Sequence, residues 1–79
     1  MLIKVKIAVE NSLTQEASSI WGLIDLNNVG AVSQHVDNEK WVDLYNDNGE
    51  VIYVIEEPFN AVCDKFIKSK TEYLSVGNN

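Results

Sequence analysis

The sequence predicts an α+β domain, a small antiparallel sheet of four or five strands with one C-terminal helix packed on one face. Three observations carry this. Ile3, Val5, Ile7 and Val9 alternate with Lys4, Lys6, Ala8 and Glu10, the period of a strand with one buried and one wet face. Two β-favouring runs, WVDLYN and EVIYVIE, flank Asp47-Asn48-Gly49, the signature of a hairpin. From Pro58 onward, apolar residues recur at helical spacing.

Between the first strand and the hairpin the signals are shorter. In ENSLTQEASSIWGL, Ser12 and Gln15 stand at capping-box spacing. Leu13, Ala17, Ile20 and Ile24 recur at helical intervals. The spacing predicts a short helix near residues 13–20, against which Ser18 and Ser19 count. WGLIDL then reads as a strand, Asn27-Asn28 as a turn, and VGAVSQHV as a second strand with Gly30 at a bulge. VDNE turns the chain before WVDLYN.

The hairpin admits two registers. A two-residue loop puts Val42, Leu44, Val51, Tyr53 and Ile55 on one face and Trp41, Tyr45, Ile52 and Val54 on the other. A three-residue bulged loop swaps the second strand's contribution. The final helix is the clearest element. Pro58 suits its first position, and Glu57 favours its positive end. Phe59, Val62, Cys63, Phe66, Ile67, Tyr73 and Leu74 form its apolar stripe, with Lys65, Lys68 and Lys70 toward its C-terminal half. The domain is expected over residues 1–74, with 75–79 a frayed tail.

Composition narrows the function. Seventy-nine residues make one domain with a thin stability margin, so an uncovered apolar face invites association. Twelve acids against six lysines give a net charge of −6, and there is no arginine. Arginine's flat fork is the usual tool for gripping phosphates and guanines, so nucleic acid is disfavoured as a partner. Lys4 and Lys6 on one strand face and Lys65 and Lys68 on one helix face, with tryptophans and tyrosines, are the cues for a stacking platform, and the net charge opposes it. Eight of the acids and one lysine fall between Asp25 and Glu57, a distribution that attracts a basic surface.

Chemistry is sparse. YNDNGE is no calcium loop: with Gly49 in the sixth position, Leu44 and Ile55 occupy the first and twelfth, where oxygen ligands are required. His35 is the single histidine and has no cysteine or carboxylate at ligand spacing. Cys63 sits in the apolar stripe of the helix, as a packed thiol does. Glu56 and Glu57, neighbours on a strand, point to opposite faces. The chain is therefore read as non-enzymatic, with no cofactor and no metal. One cysteine fits a reducing compartment, and no apolar run reaches membrane-span length. The expected location is cytoplasmic, a host's cytoplasm if the gene is viral.

Both faces of the predicted sheet carry large apolar residues, while only one helix is strong enough to cover one of them. The expected function is a small acidic protein-interaction module, in the manner of phage-type regulators or inhibitors, docking on a basic surface of a partner protein. The candidate contacts are Trp41 and Tyr45 with the acids Asp43, Asp47 and Glu50. Aromatics supply contact area and carboxylates steer the encounter. The alternatives are a structural homodimer or larger assembly, and a binder of a small nucleotide-like ligand at a subunit junction.

LIDLNNVGAV, followed by WVDLYNDNGEVIYVIEEPFNAVCDKFI, resembles the small flagellar FlbD-type proteins and similar bacterial and phage proteins. It is also similar to the sheet-hairpin half of LytTR-type DNA-binding domains. The resemblance covers residues 20–70 and implies a hairpin followed by a helix. It transfers no functional residue. Glu56-Glu57-Pro58 stands where the family pattern favours a lysine, an acid and a small capping residue, and the basic residues that a LytTR-type domain presents to DNA are missing.

Overall fold

The computed structural model describes residues 1–10, 13 and 17–77. Its elements are β1 (Leu2–Glu10), β2 (Ala17–Asp25), a 3-10 turn (Leu26–Asn28), β3 (Ala31–Gln34), β4 (Val42–Tyr45), β5 (Val51–Ile55) and α1 (Phe59–Gly77). The five strands form one antiparallel sheet in the order β2-β1-β5-β4-β3. The predicted α+β class, sheet and C-terminal helix are all present.

Residues 17–20 are strand, not the predicted helix; residues 14–16 lie outside the described residues. A helix of about eight residues is marginal without tertiary support. Here the competing partner is a full-length neighbour. β1 and β2 pair over nine residues, from Leu2 opposite Asp25 to Glu10 opposite Ala17. That register sets Ile3 beside Ile24 and Ile7 beside Ile20, so two of the apolar residues that recur at helical intervals also match the apolar face of β1.

The hairpin between β4 and β5 combines both anticipated registers. Its tip is the three-residue form: the Asn46 N–H donates to the Glu50 carbonyl at 2.9 Å and the Gly49 N–H to the Asn46 carbonyl at 3.1 Å. Gly49 has φ of 81°, the left-handed region where a side chain is disfavoured. Beyond the tip, Tyr45 pairs with Val51 but Leu44 pairs with Tyr53, leaving Ile52 as an extra bulged residue. The bulge shifts the register by one. Val42 and Leu44 consequently share a face with Tyr53 and Ile55, as a two-residue loop would have placed them.

Gly30 marks a close approach rather than a bulge. Its N–H donates to the Tyr45 carbonyl at 2.8 Å, and a Cβ there would lie 2.7 Å from Asp47 Oδ1 and 3.0 Å from the Asn46 carbonyl. Only a bare backbone fits against the hairpin tip.

The core lies between the sheet and α1. It consists of Ile3, Val5, Ile24, Leu26, Val29, Val42, Leu44, Ile55 and Val62. Leu26 and Val29, which read as the end of one strand and the start of the next, plug the space where the 3-10 turn meets the helix. Asp25 caps that turn through the Asn27 N–H. The inward face of α1 is Phe59, Val62, Phe66 and Ser69, spaced by three and four. Ile67 of the predicted stripe faces water. The side chains of Tyr73 and Leu74 are outside those described. Ser69 is buried because its hydroxyl donates to Asn27 Oδ1 at 3.2 Å, and Lys70 Nζ donates to the Leu26 carbonyl at 3.3 Å. Helix and turn are thus held together by polar as well as apolar contacts.

Candidate functional site

The helix leaves one face of the sheet open, and among the described residues no element packs over it. Strand alternation puts Lys4, Lys6, Trp21, Leu23, Asp43 and Tyr45 on that outer face. Its two ends differ in character. Over β3 and β4 the polar side chains bond to one another, whereas over β1 and β2 they stand in water.

At the β3–β4 end, His35 Nδ1 lies 2.6 Å from Asp43 Oδ1. The carboxylate can only accept there when ionised, so the ring proton belongs on Nδ1. The His35 ring also meets Trp41, with centroids 5.5 Å apart and planes tilted by 53°. The His35 N–H donates to the Trp41 carbonyl, which closes the loop between β3 and β4. Ser33 Oγ and the Tyr45 hydroxyl share a hydrogen bond of 2.9 Å. The serine is therefore bonded to tyrosine and not to the imidazole, and Ser33, His35 and Asp43 form no nucleophile relay.

The five residues predicted to bind a partner separate into four settings. Asp43 is buried and bonded to His35. Tyr45 is half-buried with its hydroxyl engaged by Ser33. Asp47 and Glu50 are exposed at the hairpin tip, where the Asn46 Oδ1 organises the loop by accepting the Asn48 and Glu50 N–H groups at 2.9 and 3.0 Å. Trp41 stands at the opposite end of β4 from that tip.

Trp41 has other company. It shares an open groove of about 810 Å³ with Glu39, Glu56, Glu57, Pro58 and Phe59. The groove lies where the loop before β4 faces the junction from β5 to α1. Its single base is Lys40, against three carboxylates. Glu56 is anchored there: its N–H donates to the Lys6 carbonyl at 2.8 Å, and its Oε1 accepts from Ser19 Oγ at 3.0 Å. Glu56 and Glu57 were read as strand neighbours pointing apart. The irregular Glu56-Glu57-Pro58 junction instead brings both to one groove.

Sequence reasoning missed Trp21. It is 61% exposed on the outer face, with Leu23 at 69% exposed two residues along the same strand. Lys4 and Lys6 reach over its ring, their Nζ atoms 5.1 and 5.3 Å from the centroid. The signal was available: Lys4 and Lys6 alternate in β1, and Trp21 and Leu23 alternate in the partner strand.

No family model, curated protein or solved structure matches this chain. Its function is read from the site alone. Among the described residues no helix is long and apolar enough to cross a membrane, and no three His, Cys, Asp or Glu side chains gather as metal ligands.

Proposed function

We propose that this protein is a small, acidic, non-enzymatic interaction module that receives a basic segment of a partner protein in the groove beside Trp41. The observation that carries the reading is a half-buried tryptophan flanked by Glu39, Glu56 and Glu57 in an open groove. The ring offers desolvated contact area at low entropic cost, and the carboxylates select lysine or arginine. Asp47 and Glu50, at the far hairpin tip, contribute to the approach of a basic surface through the overall field rather than by contact. Such a part suits a regulator or inhibitor that acts by occupying another protein's basic surface.

The test uses the full chain with Trp21→Phe, so that Trp41 is the sole tryptophan. A tryptophan-free peptide of alternating lysine and leucine is titrated while Trp41 fluorescence is followed. Trp41→Ala, with a labelled peptide as the reporter, is expected to speed dissociation. Glu56→Gln with Glu57→Gln is expected to slow association and flatten its salt dependence. Equal affinity across these variants would remove the groove from consideration.

A second reading, assembly from copies of this chain, has its own support. Val9, Ile20 and Tyr53 lie on the helix side of the sheet beyond the helix and are 37%, 55% and 42% exposed. Exposed apolar area of this kind marks association surfaces. Sedimentation at micromolar concentration separates the two readings: a monomer leaves the groove as the interaction surface, and a concentration-dependent dimer favours assembly.

A further inference from the structure

We propose that the outer edge of β2 is a second docking site, which takes an extended peptide of alternating acidic and apolar residues as a further strand of the sheet. β2 ends the strand order, and no described residue pairs with its far side. The direction of its backbone groups follows from the ladder. The Leu26 N–H donates to the Met1 carbonyl at 2.9 Å, so the pair one step beyond Leu2 and Asp25 is a bonded one. Bonded and non-bonded pairs alternate in an antiparallel ladder. Ile24, Gly22, Ile20 and Ser18 therefore bond to β1, while Ser19, Trp21 and Leu23 turn their N–H and C=O groups outward. The Glu56 N–H donating to the Lys6 carbonyl fits the same phase on the other side of β1.

Edges like this are ordinarily blunted by lysine, proline, a bulge or short length. β2 reads ASSIWGLID over nine residues, with one charge at its end. It has none of those devices. Strand addition is the recognition mode that such an edge supports: main-chain bonds give affinity and alternate side chains give choice.

Charge complementarity names the occupant. Ser19, Trp21 and Leu23 face the same way as Lys4 and Lys6. Both ammonium groups lean across β2 over the Trp21 ring, toward its open side. Two nearby acids are already engaged: Asp25 contacts the N-terminal ammonium at 3.4 Å, and Glu56 reaches across β1 to accept from Ser19 Oγ of β2 at 3.0 Å. An added strand that presents carboxylates on this face meets two lysines in an otherwise acidic molecule. On the opposite face it lies beside exposed Ile20 and side-chain-free Gly22, where apolar residues fit. The site differs from the Trp41 groove in sign, and Glu56, which lines that groove, reaches its margin at Ser19.

The experiment uses the full chain with Trp41→Phe, which leaves Trp21 as the sole tryptophan and therefore the reporter. Two blocked eight-residue peptides are titrated, one alternating glutamate with valine and one alternating lysine with valine. The glutamate peptide is expected to bind and shift Trp21 emission, and the lysine peptide is not. Lys4→Gln with Lys6→Gln should weaken binding roughly tenfold, the scale of two exposed charge pairs. Leu23→Pro removes an outward N–H without touching a β1 bond and should abolish binding, whereas Leu23→Ala should retain most of it. Circular dichroism confirms that the proline variant is folded, and the lysine variants decide the matter if it is not. Equal affinity for both peptides, or binding indifferent to the lysines, overturns the proposal. So does a dimer in sedimentation that Leu23→Pro dissolves, which assigns the edge to a second copy. Lysine-dependent binding of oligothymidylate that survives Leu23→Pro overturns it in favour of nucleic acid.

Discussion

His35 Nδ1 and Asp43 Oδ1 are 2.6 Å apart on the outer face of the sheet, and this contact decides what Asp43 is for. A carboxylate that is buried and bonded organises the loop between β3 and β4 instead of steering a partner. Asp43→Ala leaves His35 without its acceptor and is expected to cost about 1–3 kcal/mol of stability. Urea denaturation measures it. Association with a basic peptide should be unchanged in the folded fraction, in contrast to Glu56→Gln and Glu57→Gln.

The same pair shows how far the sequence could be read. Alternation located β1, the β4–β5 hairpin and the helix because each element carries its own period. It set Tyr45 on the face opposite Val42 and Leu44, as found, and the same alternation carries Asp43 with it, since side chains two apart on a strand share a face. Whether a side chain on that face is free or bonded depends on the neighbouring strand, and no local period reports that. Asp43 was therefore legible as outward but not as taken. The first four residues of β2 were misread for a related reason: Ala17, Ile20 and Ile24 satisfy a helical spacing, and pairing with β1 outweighed it. The groove at Trp41 joins loop 35–41 to the start of α1, a tertiary meeting that spacing does not encode.

Leu26 has no solvent exposure, although it reads as the last residue of a strand beside a turn. Leu26→Ala removes a plug shared by sheet and helix, and the stability loss is expected at about 2–5 kcal/mol. Ser69→Ala, which breaks the bond to Asn27, should cost about 0.5–1.5 kcal/mol. Thermal melts of the two variants rank them. A Leu26→Ala loss no greater than that of Ser69→Ala would contradict the placement of Leu26 in the core.

Gly49 meets no atom within 4 Å of an added Cβ, so its requirement is conformational alone. Gly49→Ala is expected to destabilise by about 1–2 kcal/mol, the cost of a left-handed backbone for an ordinary residue. Gly49→Asn should lose clearly less, because asparagine tolerates that region. Gly30→Ala fails differently, by contact with Asp47 and Asn46. Asp47→Gly should therefore recover part of its loss while leaving Gly49→Ala unrescued. Denaturation midpoints of the single and paired variants test this.

Asp25 gives the fold a dependence on acid. The Asn27 N–H donating to its carboxylate is the chief cause holding its carboxyl below the ordinary value, partial burial pulls the other way, and the N-terminal ammonium and Lys70 add to the lowering. A carboxyl whose folded pKa is depressed contributes stability that is complete above its unfolded value and disappears as pH falls through the folded one. Asp25→Asn keeps an oxygen for the Asn27 N–H but removes the charge. It is expected to melt below the parent at neutral pH, with the gap narrowing as pH drops beneath the ordinary carboxylate range and closing once Asp25 itself is protonated. Melting curves across the acid range read this directly. A gap that stays constant to the lowest pH would mean that the shape of the cap matters and its ionisation does not.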